Sequence, residues 1–156
     1  MKASKLTVTH TQTDVLCYGG NTGAIDVTYQ AISPALPYTY IWTNGATTQD
    51  ITGLAAGPYE VQILDANSCN LFTGATILEP EQALNISYTK TDKLCNSGVD
   101  NGAIDVLIQG GTAPYIKNWS NGATTEDISG LAAGTYTLNV TDAKGCVETV
   151  SVTIDE

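Results

Sequence analysis

Residues 38–69 read YTYIWTNGATTQDITGLAAGPYEVQILDANSC, and residues 115–146 read YIKNWSNGATTEDISGLAAGTYTLNVTDAKGC. Trp42 and Trp119, Asn44 and Asn121, Tyr59 and Tyr136, and Cys69 and Cys146 all stand 77 positions apart. Working outward, Cys17 faces Cys95 at an offset of 78, and Gly-Ala-Ile-Asp-Val at 23–27 faces 102–106 at an offset of 79. A period of that length is a whole small domain, so the chain is a tandem array with modules at 1–80 and 81–156. Arrays span distance or multiply weak contacts, whereas an enzyme rarely needs its site in duplicate.

Within each copy apolar and polar residues alternate, and no helical spacing is evident. Leu6, Val8 and His10 share one face of a first strand, as do Leu84, Ile86 and Tyr88. Ile25, Val27 and Tyr29 share a face of the second, with Asp26 pointing away, and Ile104, Val106 and Ile108 repeat this around Asp105. The third strand sets Tyr38, Tyr40 and Trp42 on one face, matched by Tyr115, Lys117 and Trp119. Asn-Gly then signals a tight turn, and a short threonine-bearing segment ends at Ile51 or Ile128. The next strand points Tyr59, Val61 and Ile63 inward, and the last carries Leu71, Thr73, Ala75 and Ile77. Short strands with Gly-containing turns predict an all-β chain of two antiparallel β-sandwiches. Tryptophan on the third strand and Gly-Leu-Ala-Ala-Gly-x-Tyr at 53–59 and 130–136, which resembles a tyrosine corner, make the sandwich immunoglobulin-like.

Modules of roughly 78 residues lie near the lower limit for a self-sufficient core. The four cysteines, two at equivalent positions per copy, are candidate staples. No C-x-x-C pair or matched histidine favours zinc. Pairing Cys17 with Cys69 and Cys95 with Cys146 closes loops of about 50 residues, worth roughly 4 kcal/mol each by chain entropy. Six strictly alternating strands put each pair at one end of its module. A seventh strand inside 43–57 puts them at opposite ends unless one cysteine lies well inside its strand. Disulfides imply an oxidising, extracytoplasmic location.

Sixteen acidic residues against six lysines give a net charge of −10, which argues against nucleic acid and anionic membrane surfaces as partners. No stretch approaches the roughly 20 apolar residues of a membrane span. The start, MKASKLTVTHTQ, has no apolar core of an export signal, so the chain reads as a piece of a longer array with Met1–Ser4 an added leader. The Glu79-Pro80-Glu81-Gln82-Ala83 joint reads as semi-rigid, predicting an elongated rod.

No catalytic motif stands out. His10 is the only histidine, and its counterpart is Tyr88. Asp65 and Asp142 open the last turn, where aspartate commonly bonds its own turn backbone. Calcium is the alternative reading: alternating strands bring Asp14, Asp65 and Asn67 together in copy one, and Asp92 with Asp142 in copy two. Lys144 in place of Asn67 weighs against a shared metal site. Trp42 and Trp119 read as core; Tyr18, Tyr38, Tyr40 and Tyr115 are the candidates for an exposed ligand platform.

The string Gly-Ala-Ile-Asp-Val, Pro-Tyr, Trp-Ser-Asn-Gly-Ala-Thr-Thr-Glu-Asp-Ile, Leu-Ala-Ala-Gly-Thr-Tyr and Val-Thr-Asp-Ala-Lys-Gly-Cys of copy two resembles the SprB repeat, over nearly the whole chain in two copies. Copy one departs from it at Ala31–Leu36 and at Pro58. SprB repeats occur in very large Bacteroidetes surface proteins, including a gliding-motility adhesin. The resemblance implies secretion by the type IX system, display on the outer cell surface, and a part in adhesion or gliding; with no catalytic set in the residues, the chain reads as non-enzymatic. Membership says little about ligand, since such repeats can be pure stalk; the expected partners are neighbouring repeats, and surface polysaccharide or another surface protein. A carbohydrate-binding accessory module of a secreted polysaccharide-degrading enzyme is the competing expectation.

Overall fold

A computed structural model describes residues 6–31, 36–95 and 99–156. The expectations for Met1–Ser4, for the side chains of Leu6 and Ala31 and for residues 32–35 fall outside them. The chain divides into two compact units, Met1–Glu79 and Pro80–Glu156. All described secondary structure is β, and every pairing is antiparallel.

In the first unit, β1 (Leu6–Thr13), β2 (Gly23–Ala31) and β4 (Ile51–Leu54) form one sheet in the order β1-β2-β4. The other sheet, β3-β5-β6, holds β3 (Thr39–Trp42), β5 (Gly57–Leu64) and β6 (Asn70–Ile77). The second unit repeats this with β7 (Asn85–Thr91), β8 (Gly102–Gln109) and β10 (Ile128–Leu131) in one sheet. Its other sheet has β9 (Ile116–Trp119), β11 (Gly134–Thr141) and β12 (Val147–Ile154).

Strand parity decides the core. Ile25, Val27, Ile51 and Leu54 from one sheet pack with Trp42, Val61, Ile63 and Ile77 from the other. Ile104, Val106, Ile128 and Leu131 meet Trp119, Leu138, Val140, Val152 and Ile154 in the second unit. Burying such a set at roughly 25 cal/mol per Å² is the main stabilising contribution. Their alternate neighbours, Asp26 and Asp105 included, face solvent as their strand positions required.

Gly23 and Gly102 open β2 and β8 where no side chain fits. A Cβ on Gly23 would stand 2.7 Å from Ile77 Cγ2 and 2.8 Å from the Leu54 carbonyl oxygen; on Gly102 it would stand 2.8 Å from Ile154 Cγ2 and 2.9 Å from the Leu131 oxygen. Backbone cannot yield as a flexible side chain does. Gly23→Ala and Gly102→Ala are therefore each expected to cost about 1–3 kcal/mol, read as a lower urea midpoint at unchanged slope.

The sheets meet laterally along β1 and β6. His10 Nδ1 lies 3.0 Å from Thr73 Oγ1, Gln12 Nε2 donates to the Thr76 carbonyl at 2.9 Å, and the Leu78 amide donates to Asp14 Oδ1 at 2.9 Å. His10 is half-buried, as its inward parity implied. Residue numbers on both strands rise together along this seam, so β1 and β6 run in the same direction. Since β4 is antiparallel to β2, and β3 and β6 are each antiparallel to β5, consecutive β3 and β4 also run in one direction.

That overturns strict alternation. The described residues of the unit form six strands, but the chain between β3 and β4 crosses from one sheet to the other without reversing. Each unit therefore has a head end, where its first and last strands begin, and a tail end, where both finish. Cys17 follows β1 at the tail end, and Cys69 precedes β6 at the head end. Eight residues of β6 at about 3.3 Å each separate those ends by on the order of 25 Å. Bridged Cα atoms stand within roughly 7 Å. The expected Cys17–Cys69 and Cys95–Cys146 bridges are thus corrected: Cys69 and Cys95 are free, exposed thiols, and the disulfide-bonded cysteines are Cys17 and Cys146.

Candidate functional site

The segment shared most closely by the two copies, Trp-x-Asn-Gly-Ala-Thr-Thr-x-Asp-Ile, builds the crossover between sheets. Asn44 Oδ1 accepts the Ala46 amide at 3.1 Å, and the Trp42 amide donates to the Ala46 carbonyl at 3.0 Å, closing the turn. The buried Trp42 indole donates to the Thr48 carbonyl at 2.8 Å; Trp119 does the same to Thr125 at 3.1 Å. Both rings are core, as their strand position suggested.

Asp50 and Asp127 stood out in no sequence argument. Their Oδ1 atoms accept the amides of Val27 and Val106, at 2.9 Å and 2.8 Å, just beyond the last residues of β2 and β8 that pair with β4 and β10. A carboxylate there stands in for a missing strand partner, which only the fold reveals. At the next crossover, the Tyr59 hydroxyl donates to the Ala55 carbonyl at 3.2 Å and that of Tyr136 to Ala132 at 3.1 Å. The tyrosine corner read from Gly-Leu-Ala-Ala-Gly-x-Tyr is present in both copies.

The hairpin aspartates behave as the turn chemistry predicts. Asp65 Oδ1 accepts the amides of Asn67 (2.8 Å) and Cys69 (2.9 Å), and Asp142 Oδ1 those of Lys144 (2.8 Å) and Cys146 (2.9 Å). Asp142 goes further: its Oδ2 accepts the Thr112 amide at 2.8 Å, and the residue is only 3% exposed. Burial by itself raises a carboxyl pKa. Here the amides of Thr112, Cys146 and Lys144 outweigh it and hold Asp142 below the usual carboxylate value. Gly111 makes room for this, since a Cβ there would stand 2.8 Å from Asp142 Oδ2.

The proposed calcium ligands do not assemble. Asp14 is at the tail end, bound to the Leu78 amide, while Asp65 and Asn67 are in the head-end hairpin. Asp92 accepts the Asp155 amide at 2.9 Å at the other tail end, remote from Asp142. Among the described residues no group of three or more His, Cys, Asp or Glu side chains converges. The same break in strand alternation that separates the cysteines separates these carboxylates.

The aromatic platform also needs correcting. Tyr40 is 9% exposed and belongs to the core, and Tyr38 packs against that core with its ring edge-on to Tyr29, centroids 4.6 Å apart. Burial, then the neighbouring Tyr29 phenol, pushes the Tyr40 hydroxyl pKa up. Tyr115 is half-buried, its hydroxyl donating to the Gly110 carbonyl at 2.6 Å. Only Tyr18, 53% exposed, is open to a ligand. Tyr40 pairs with Gln49 at 3.3 Å, and at the equivalent place Lys117 pairs with Glu126 at 3.2 Å. One polar contact has replaced another without disturbing the strand beneath.

What these features define is a duplicated all-β module whose shared residues hold its own turns, crossovers and core. The SprB repeat family model matches residues 9–47 and 87–124, so the chain carries two SprB repeats. SprB repeats belong to surface adhesin proteins. The matched segments run from the first strand through the Asn-Gly turn of each copy; the later strands fall outside them, a narrower span than the resemblance implied. No curated protein matches the chain.

Proposed function

We propose that the chain is a non-enzymatic segment of a secreted surface adhesin, serving as an elongated stalk or weak multivalent binder on the outer cell surface, in adhesion or gliding. We read each repeat as an immunoglobulin-like sandwich, on the strength of the tryptophan-bearing third strand and the tyrosine corner. The observation that carries the stalk reading is where the two copies agree and where they differ. Turn and crossover residues are kept and most core positions stay apolar, though Tyr40 becomes Lys117, whereas exposed Ile41 and Phe72 on the outer face of β3-β5-β6 become Asn118 and Thr149. A framework repeated under a changing surface suits a spacer better than a duplicated ligand site. Disulfide-bonded Cys17 and Cys146 fit an extracytoplasmic home.

Phe72 and Ile41, 56% and 52% exposed with Glu60 and Gln62 beside them, favour the carbohydrate-binding alternative for the first repeat. A glycan array decides between them. The stalk reading predicts a silent array; binding that disappears in Phe72→Ala would establish the alternative. Substituting Tyr40, by contrast, disturbs the core and reports stability.

A further inference from the structure

The chain enters each unit at the head end of its first strand, β1 or β7, and leaves at the tail end of its last, β6 or β12. The two strands of each pair lie side by side and run in the same direction. Near their tail ends both units carry the same stitch. Asp14 Oδ1 accepts the Leu78 amide and Asp92 Oδ1 the Asp155 amide, each at 2.9 Å. The Val15 amide donates to the Leu78 carbonyl at 2.8 Å, and the Lys93 amide to that of Asp155 at 2.9 Å. Two residues before each aspartate a side-chain donor crosses the seam. Gln12 Nε2 reaches the Thr76 carbonyl at 2.9 Å and Asp14 at 3.1 Å. Lys90 Nζ reaches the Thr153 carbonyl at 2.7 Å, Asp92 at 2.8 Å and Asp155 at 2.7 Å. Thr76 and Thr153 are equivalent positions, so exchanging Gln for Lys changed the donor and kept its target. These bonds join the two sheets of a unit and extend neither.

We propose that this seam is a shear clamp, the part of each repeat that resists tension along the chain. Tension on the two ends drives the first strand toward the head and the last toward the tail, sliding one past the other. Bonds lying across such a seam are strained together and must fail together. Strands drawn apart at one end lose their bonds one at a time. Forced unfolding is governed by the unfolding rate, not by equilibrium stability, and the clamp slows that rate in the direction a stalk is pulled. Its setting rests on the stalk reading, whereas the clamp itself is measured on the isolated chain. A weak clamp would leave the surface role standing, and a glycan-binding chain would leave the clamp standing.

The test holds the full chain at constant force in two geometries. Cys17→Ser, Cys69→Ser and Cys146→Ser are combined so that the load follows the backbone and exposed Cys95 is the thiol left for a handle. None of the three replaced cysteines is buried, and thermal melts serve as the folding control. Handles at the two chain ends shear both seams. Handles on Cys95 and the carboxyl end draw β7 and β12 apart at the tail end, peeling the seam of the second unit. At equal force, each unit should unfold end to end at least about tenfold more slowly than the second unit does when peeled, equivalent to about 1.4 kcal/mol of barrier. Asp92→Ala removes the acceptor shared by Lys90 and the Asp155 amide, and should speed one of the two end-to-end events more than it speeds peeling. Should Asp92→Ala fail to fold, Lys90→Met, whose side chain is 30% exposed, makes the same comparison. A smaller gap between the geometries, or a substitution that speeds both equally, would overturn the clamp.

Discussion

Trp42→Ala is expected to destabilise the first repeat strongly, and Trp119→Ala the second, each leaving the other repeat close to its parental stability. The indoles are 3% and 4% exposed, so truncation opens a large cavity in a small core. Such a change costs about 3–5 kcal/mol, out of total domain stabilities of only about 5–15 kcal/mol. A second loss compounds it. The indole N–H holds the Thr48 or Thr125 carbonyl, which anchors the crossover that lets β4 or β10 run alongside its sheet. Calorimetry of the two variants should therefore each show one of two transitions displaced by more than about 10 °C, at about 4–8 °C per kcal/mol for a domain of this size. Trp→Phe retains most of the volume but not the donor, and should fall between parent and alanine. A single transition shifted equally by either substitution would show that the two repeats do not fold separately.

Asp142→Ala should destabilise the second repeat by about 3 kcal/mol, because the amides of Thr112, Lys144 and Cys146 lose a buried, charged acceptor together. Asp65→Ala in the first repeat should cost less, since the structure gives Asp65 Oδ1 two amides and the residue is more open to water. The pH dependence has a definite sign. A carboxyl whose folded pKa lies below the unfolded value of about 3.9 binds fewer protons when folded, so its contribution is complete above that value. That stability is lost as pH falls through the depressed folded pKa. Melts of the parent and of Asp142→Asn at neutral pH and below about pH 4 check this: the gap between them should narrow in acid. Asp92, also depressed by Lys90 and the Asp155 amide, is common to both proteins and cancels in the comparison.

Much of this was legible in the sequence because it is local. Period-two alternation named Ile25, Val27, Val61 and Ile63 as core, Asn-Gly marked the turn, and Asp65 and Asp142 carried their own hairpin chemistry. Tyr40 was legible too, since it shares a strand face with Trp42, and offering it as an exposed platform ignored that parity. The rest depends on contacts far apart in sequence. Whether β3 and β4 reverse is decided by a seam between β1 and β6, more than 60 residues apart, where Gln12 meets Thr76 and Asp14 meets Leu78. No periodicity reports it, and both the cysteine pairing and the calcium cluster hung on that one reversal. Asp142 likewise meets its third amide from Thr112, 30 residues upstream.

Differential alkylation tests the separation of the cysteine ends most directly: label thiols on the folded, unreduced chain, then reduce and apply a second label. The structure predicts the first label on Cys69 and Cys95 and the second on Cys17 and Cys146. First label on Cys17 or Cys146, or a Cys69 protected together with Cys17, would contradict it.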